Sequence, residues 1–348
     1  MQGFWDGDGK GGKEGNVFVV RFCPPEVGIW TIYRTESNEK MLSGQREGEV
    51  IKCIPSDHPG FWIAEGRWYR RSSGRRRYIL GNTHYSFLST WTAFGRRERL
   101  SPIEDVRLNA KFYTKLRFTL FGDRYPDPRE KPFLDDNGEP TEDGRFSFRP
   151  NPTWFHKRVD PTVREGFRAD LICDLILCGP DTPRTRSTLK GDPTAFLRYV
   201  AARYGSYPNV WFCLCNEWNI KRPRYSPREI RKAGRILKGF LLNNNPISVH
   251  GAPVDWDRRL NGDWHDHIII QAKIKRLDEA ADVASRNFFV GGKKPILNDE
   301  NAYEGKGDRF SEQDVIEGCL GTFLGCLLYT SDAADEGLGV DLGGRRII

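Results

Sequence analysis

Two glutamates stand where this chain could do chemistry. Glu217 follows the apolar run Val210-Trp211-Phe212-Cys213-Leu214 and sits within Asn216-Glu217-Trp218. Glu300 closes the run Pro295-Ile296-Leu297-Asn298-Asp299-Glu300. A short apolar run ended by polar residues reads as a strand buried on both faces. In an α/β barrel the reacting side chains sit at such strand ends. Residues 217 and 300 are 83 apart, which fits three strand–helix units of about 31 residues each. Each carboxylate alone would also suit a helix cap or an ion pair. As a pair opposed across a barrel mouth they meet the requirement of glycoside hydrolysis, one protonated to release the leaving oxygen and one ionised to attack the anomeric carbon or activate water. A retaining site holds the two carboxyls about 5–5.5 Å apart and an inverting one about 6.5–9.5 Å. Close carboxyls in a partly dry pocket can divide the roles in this way.

The elements that must position them follow a strand–loop–helix rhythm. Strands are predicted at Tyr78–Leu80, Leu116–Leu120, Ala169–Leu177, Val210–Cys215, Ile247–His250, Ile268–Gln271 and Pro295–Glu300. Helices are predicted from Asn151-Pro152, from Asp192-Pro193 to about Tyr204, from the capping box Ser226-Pro227-Arg228-Glu229 to about Leu242, from Ile274 to Asn287, and from Ser311 to about Leu324, each start marked by a cap or an N1 proline where one is present. Seven such strands predict an α/β fold, a (β/α)₈ barrel cut short before or at strand eight. An open doubly wound sheet would carry a Gly-rich phosphate loop after its first strand, and Gly81-Asn82-Thr83-His84 is not one. No cofactor is therefore expected. The long polar stretch from Phe121 to Asn151 exceeds ordinary loop length, which marks a functional or disordered loop.

Ahead of the barrel, short runs at Asn16–Phe22, Gly28–Thr35 and Glu49–Ile54 are separated by Gly/Pro turns and predict an incomplete Ig-like β-sandwich. A hairpin turning at Ser72-Ser73-Gly74 is expected to lead into the barrel. The expected organisation is a partial sandwich over 1–65, the barrel over 66–325, and a tail over 326–348 without helix or strand period, similar to translated adaptor sequence and treated as non-native. No signal peptide opens the chain, and its Gly-rich start reads as a loop already inside a domain, the true beginning lying upstream.

Composition excludes several classes. The 348 residues are 38% hydrophobic and 29% charged, with a net charge of +7 spread along the chain. Nucleic-acid binding would need a concentrated basic stripe. No apolar run reaches the roughly 18 residues of a membrane span. The eight cysteines form neither a disulfide framework nor a metal knuckle. His265 and His267, at i and i+2, could share a strand face toward a metal, but no nearby Cys or Glu completes a set, so no metal site is expected. Trp154, Phe155 and His156 read as packing.

Here the residues meet a family. Asn216-Glu217 with Glu300 resembles the retaining (β/α)₈ glycoside hydrolases. Gly81-Asn82-Thr83-His84-Tyr85-Ser86-Phe87-Leu88-Ser89 and Pro295–Glu300 look like the DUF4038 / apiosidase-like glycosidases, and Phe4-Trp5-Asp6-Gly7 through Trp30 is similar to the DUF5060 β-sandwich that precedes such barrels. The resemblance implies Glu217 as acid/base and Glu300 as nucleophile. It implies that Asn216 bonds the sugar 2-hydroxyl, that Asn82, His84, Arg117 and His250 line the subsite or orient the carboxylates, and that Trp218 and Tyr303 stack on sugar rings. An oligo- or polysaccharide of plant or microbial origin is the implied partner. A non-catalytic carbohydrate-binding barrel is the alternative reading.

Overall fold

A computed structural model of the chain describes residues 1–85, 87–88, 102–121, 131–141, 149–179, 186–252, 254–301 and 310–327. It is an α/β fold built on parallel strands. Strands β1 (Gly81–Thr83), β2 (Lys115–Thr119), β3 (Ile172–Ile176), β4 (Val210–Cys213) and β5 (Ile247–Ser248) form one five-stranded sheet in chain order. Strands β6 (Ile268–Ile270) and β7 (Ile296–Asn298) pair in parallel beside it, and one parallel bridge, His250 to Ile269, joins the two sets. Thr83 Oγ1 donates to the Asp299 carbonyl at 3.1 Å, bringing the end of β1 to the end of β7. Among the described residues no eighth strand lies between them.

Every residue of β3 and β4 is buried, because each strand has apolar material on both faces. One set of side chains, including Leu116, Phe118, Leu175 and Phe212, packs outward into the main core with the helices. The alternate set points the other way, where Ile172 and Trp211 meet Trp62 and Tyr69, and Ile176, Cys213 and Ile269 meet Tyr85. The period-2 geometry of a strand makes this division automatic.

Helices α1 (Pro102–Asn109), α2 (Asp160–Arg168), α3 (Thr194–Tyr204), α4 (Pro227–Phe240), α5 (Leu277–Val290) and α6 (Glu312–Leu327) alternate with the strands. Helix α1 was not foreseen from the sequence. Predicted caps form at Asn151 and Ser226: Asn151 Oδ1 accepts from Thr153 N at 3.2 Å, opening a helical run that continues into α2, and Ser226 with Glu229 closes a reciprocal capping box on α4. At α3 the N-cap position is Pro193, which makes no side-chain cap bond. Trp154 is buried and donates to the Leu120 carbonyl, while the His156 ring meets Asp6 at 2.8 Å.

The N-terminal part differs from a layered sandwich. Its strands form two separate antiparallel pairs, Gly3–Trp5 with Phe18–Val20 and Gly28–Thr31 with Val50–Cys53. The first pair is fastened to the helices around the parallel sheet: Phe4 joins the main core, and buried Arg203 of α3 ties Asp6 at 2.6 Å to Asp160 of α2 at 2.8 Å. The hairpin also departs from expectation. It pairs Trp62–Glu65 with Trp68–Arg71 around Gly66, whose φ of +58° suits glycine. The Ser72–Gly74 reversal only adds a bridge from Arg70 to Arg76. This hairpin sets Tyr69 4.7 Å from Trp211 on the strand interior, beneath the site. Among the described residues no helix is long and apolar enough to cross a membrane.

Candidate active site

Beyond the last residue of β4 the chain leaves extended geometry. Glu217 takes φ +45°, a left-handed conformation that a side chain with a Cβ adopts only at a cost. The turn is held from several sides. Glu217 N–H donates to His250 Nδ1 at 3.2 Å. Trp218 N–H donates to the His250 carbonyl at 3.1 Å. Arg186 donates to the carbonyl of Asn216 at 2.8 Å.

Because Nδ1 of His250 accepts, its proton sits on Nε2, and that nitrogen lies 3.6 Å from Glu300 Oε2. One fully buried imidazole thus accepts from the backbone of one strand-end glutamate and stands 3.6 Å from the carboxylate of the other. Burial first, then the Arg117 charge, holds His250 well below the ordinary histidine range, so it stays neutral. Tyr85 reaches the same Glu300 oxygen and donates at 3.0 Å. Burial pushes its phenol well up, so the hydroxyl keeps its proton. Glu217 Oε1 accepts from Gln271 Nε2 at 3.3 Å, and its Oε2 lies 3.4 Å from Lys221 Nζ. The two carboxylate side chains are only 12% and 10% exposed, enough to meet a ligand and dry enough to strengthen every contact around them.

Under the carboxylates lies a buried ionic layer. Arg117 of β2 donates to Asn216 Oδ1 at 2.8 Å and approaches Asp299 Oδ2 at 3.6 Å. It therefore braces the residue preceding each glutamate. Lys115, two residues earlier on the same face, bonds Asp174 at 2.9 Å and Asp299 at 2.6 Å. Burial alone would raise the Asp299 carboxyl; Lys115 and Arg117 outweigh it and hold it below the usual range. An isolated carboxylate in this position would be strongly penalised, and the paired cations remove that penalty.

The structure therefore brings together Glu217, Glu300, Asn216, Arg117 and His250. Three other expected residues stand differently. Asn82 pairs with Leu116 on the outward register of β1 and donates to Asn109 at the end of α1 at 2.8 Å, away from the carboxylates. The His84 ring packs edge-on against Phe87 at 5.5 Å, and its backbone N–H extends the β1–β2 ladder to Arg117. Trp218 is 4% exposed and belongs to the main core, which leaves no open ring face for a sugar. Its indole fills the space where Gly251 lacks a Cβ. Tyr303 lies outside the described residues, as do 122–130 and 142–148 of the long loop.

Sequence reasoning missed Tyr85, Gln271, Lys115 and Arg186. Gln271 immediately follows β6, so the strand-end rule that found Glu217 reaches it too. His265 and His267 diverge: the first stacks on Trp256 at 5.1 Å, and the second lies tilted against Trp211 at 5.1 Å within the sheet interior. Among the described residues no group of His, Cys, Asp or Glu is arranged to hold a metal ion. A groove of about 1010 Å³ between the N-terminal segment and the strand starts, lined by Phe22, His58, Phe167 and Tyr207, contains none of the site residues.

The sequence profile of the apiosidase-like catalytic domain matches residues 63–318. Among solved structures, one of a candidate glycoside hydrolase from Bacteroides vulgatus ATCC 8482 is 21% identical with a TM-score of 0.68, over 87% of this chain and 58% of that one. A glycoside hydrolase family 5 structure from the same organism is 15% identical with a TM-score of 0.53, over 77% and 60%. A further glycoside hydrolase structure is 15% identical with a TM-score of 0.55, over 77% and 64%. At such identities the likeness is one of fold. The chain spans 58% to 64% of the length of these three structures. No curated protein sequence matches it.

Proposed function

The chain belongs to the apiosidase-like catalytic-domain family, and on that premise we propose that it is a retaining O-glycosidase acting on an oligo- or polysaccharide of plant or microbial origin. The observation that carries the reading is the shared histidine: His250 accepts from the Glu217 backbone and turns its other nitrogen to Glu300. The backbone of one strand-end glutamate and the carboxylate of the other thereby meet one rigid ring, which supports a two-carboxylate reaction.

In the proposed reaction Glu217, protonated, gives its proton to the glycosidic oxygen as the C1–O bond breaks. A Glu300 oxygen attacks C1 and forms a glycosyl ester. Glu217, now ionised, takes a proton from water, the water oxygen bonds to C1, and the Glu300 ester bond breaks. Tyr85 donates its O–H to Glu300 and keeps it aimed, with neutral His250 beside the same oxygen. Asn216, with its oxygen committed to Arg117, turns its amide nitrogen to the substrate. The fold that accompanies this reading is a (β/α)₈ barrel over about 66–325, preceded over 1–65 by separate antiparallel strand pairs; the family match, which begins at residue 63, supports the start of the barrel.

The test uses aryl glycosides of several sugars. The expected result is turnover with retained anomeric configuration. Glu300→Ala abolishes it, and Glu217→Ala lowers it by roughly 10²–10⁴-fold for poor leaving groups; with an activated leaving group, azide attacks C1 of the glycosyl-enzyme in place of water, restores the second step and yields the glycosyl azide of retained configuration. Sugar binding without turnover of any aryl glycoside would leave only a carbohydrate-binding barrel. An inverted product would replace the nucleophile role of Glu300 with that of a general base.

A further inference from the structure

We propose that Arg186 is a positioning residue that keeps the Asn216–Glu217 turn in its active shape; this rests on the role proposed for Glu217. Arg186 is fully buried. Its guanidinium donates to two successive carbonyls, Asn216 at 2.8 Å and Glu217 at 3.3 Å, and to Gly179 at 3.3 Å. Those two carbonyls bracket the backbone of Glu217, which is held at φ +45°. A left-handed residue with a Cβ persists only where its surroundings over-determine it. His250 holds the N–H side of this turn, and Arg186 holds the carbonyl side.

The arginine is itself anchored. Its own carbonyl accepts from Tyr225 Oη and from Cys178 Sγ, and Tyr225 N–H donates to the Trp218 carbonyl at 3.0 Å. The contacts close a ring from Glu217 through Trp218 and Tyr225 to Arg186 and back to Glu217. A planar fork with several fixed donors can span neighbouring carbonyls, and a lysine ammonium supplies only a point charge. Release of the carbonyls frees the turn to relax toward right-handed geometry, which swings the Glu217 carboxyl away from the leaving-group oxygen. The Glu300 side is untouched. The effect is therefore a selective loss of acid assistance.

The experiment compares wild type, Arg186→Lys and Arg186→Met on a phenyl and a 2,4-dinitrophenyl glycoside of one sugar. Thermal unfolding of each protein is also measured, with position 217 left as glutamate and again with Glu217→Gly added. The phenyl leaving group needs a proton and the dinitrophenyl group does not. Arg186→Met is expected to lower kcat for the phenyl glycoside by on the order of tenfold to hundredfold, with KM little changed, while formation of the glycosyl-enzyme from the dinitrophenyl glycoside stays close to wild type. Arg186→Lys falls between. In unfolding, Arg186→Met is expected to cost less when combined with Glu217→Gly, because the left-handed turn then carries no Cβ penalty. Equal kinetic losses on both glycosides, or equal unfolding losses in both backgrounds, would show a merely structural arginine and overturn the proposal. A wild type that hydrolyses neither glycoside would overturn the glycosidase reading instead, and the unfolding comparison would still decide whether Arg186 holds the turn.

Discussion

Tyr85 and His250 approach the same oxygen of Glu300 from two residues that each keep their own proton. A hydrogen bond to a charged group is worth about 1.5–3 kcal/mol, and it acts here inside a nearly dry site. Tyr85→Phe should therefore lower kcat/KM on aryl glycosides by on the order of tenfold to hundredfold without loss of fold. Activity within a factor of two of wild type would show that the phenol does not orient the nucleophile. Tyr85 is also a case of what the sequence did and did not make legible. The strand-end rule singled out Glu217 and Glu300, because a rigid apolar strand announces where its polar end must be; Asn216 and His250 came from the family resemblance. The rule did not rank the polar residues just past such ends, so Tyr85 and Gln271 were passed over. Asn82 went the other way for a readable reason: it alternates with Thr83, whose partner Arg117 is inward, so Asn82 must face the helices. Trp218 sits in the core where a sugar platform was expected, because a tryptophan beside a strand-end glutamate suits either role on sequence alone. Only the missing Cβ of Gly251, a tertiary neighbour 33 residues on, reveals that the indole is used for packing.

At the scale of elements, helix α4 contains an internal comparison. Gly234 and Gly239 lie in the same helix, and glycine in a helix interior costs roughly 0.5–1 kcal/mol relative to alanine. A Cβ at Gly234 would stand 2.2 Å from Trp264, a ring that is itself buried and fixed by a bond from Nε1 to the Leu260 carbonyl. Overpacking of that kind costs about 1–3 kcal/mol, which outweighs the helix gain. Gly239 has nothing within 4 Å. Gly234→Ala should destabilise and Gly239→Ala should stabilise by about 0.5 kcal/mol or more, as measured by denaturant unfolding. Two changes of the same sign would mean that the contact between α4 and Trp264 is not tight. The helix starts were legible because caps are local chemistry, as at Asn151 and Ser226. Helix α1 and the placement of the 62–71 hairpin were not. The hairpin is fixed by Trp62 and Tyr69 packing on Trp211, a contact across well over a hundred residues of chain that no local pattern encodes.

Over the whole molecule, buried titratable groups decide how the fold responds to acid. His250, His265 and His267 are buried, and burial is the main cause that lowers all three. Lys294 and Lys238 press further on His265, bringing it to about 3. Lys115 adds to the lowering at His267, against Asp299, and Arg117 does so at His250. A histidine depressed in the folded state remains neutral there while its unfolded counterpart takes up a proton below about pH 6.5. The unfolded chain then binds more protons, so stability is lost as pH falls below that value, at up to about 1.4 kcal/mol per pH unit for each histidine. Three together give a slope of up to about 4 kcal/mol per pH unit, large beside a typical total stability of about 5–15 kcal/mol. Asp160 acts in a lower window. Burial would raise it, but Arg203 and Arg21 bring it to about 2, so its contribution is complete above its ordinary value near 3.8 and disappears only toward pH 2. The histidines should therefore unfold the protein before the Asp160 cluster, which fastens the N-terminal pair to α2 and α3, can give way. Urea unfolding between pH 7.5 and 5 is expected to show a stability that is level down to about pH 6.5 and falls below it, and His265→Asn should reduce the slope there by up to about 1.4 kcal/mol per pH unit. A stability that stays flat to pH 5 and declines only below 4 would assign acid sensitivity to the carboxylates and would mean that these imidazoles are charged, or solvated, within the native fold.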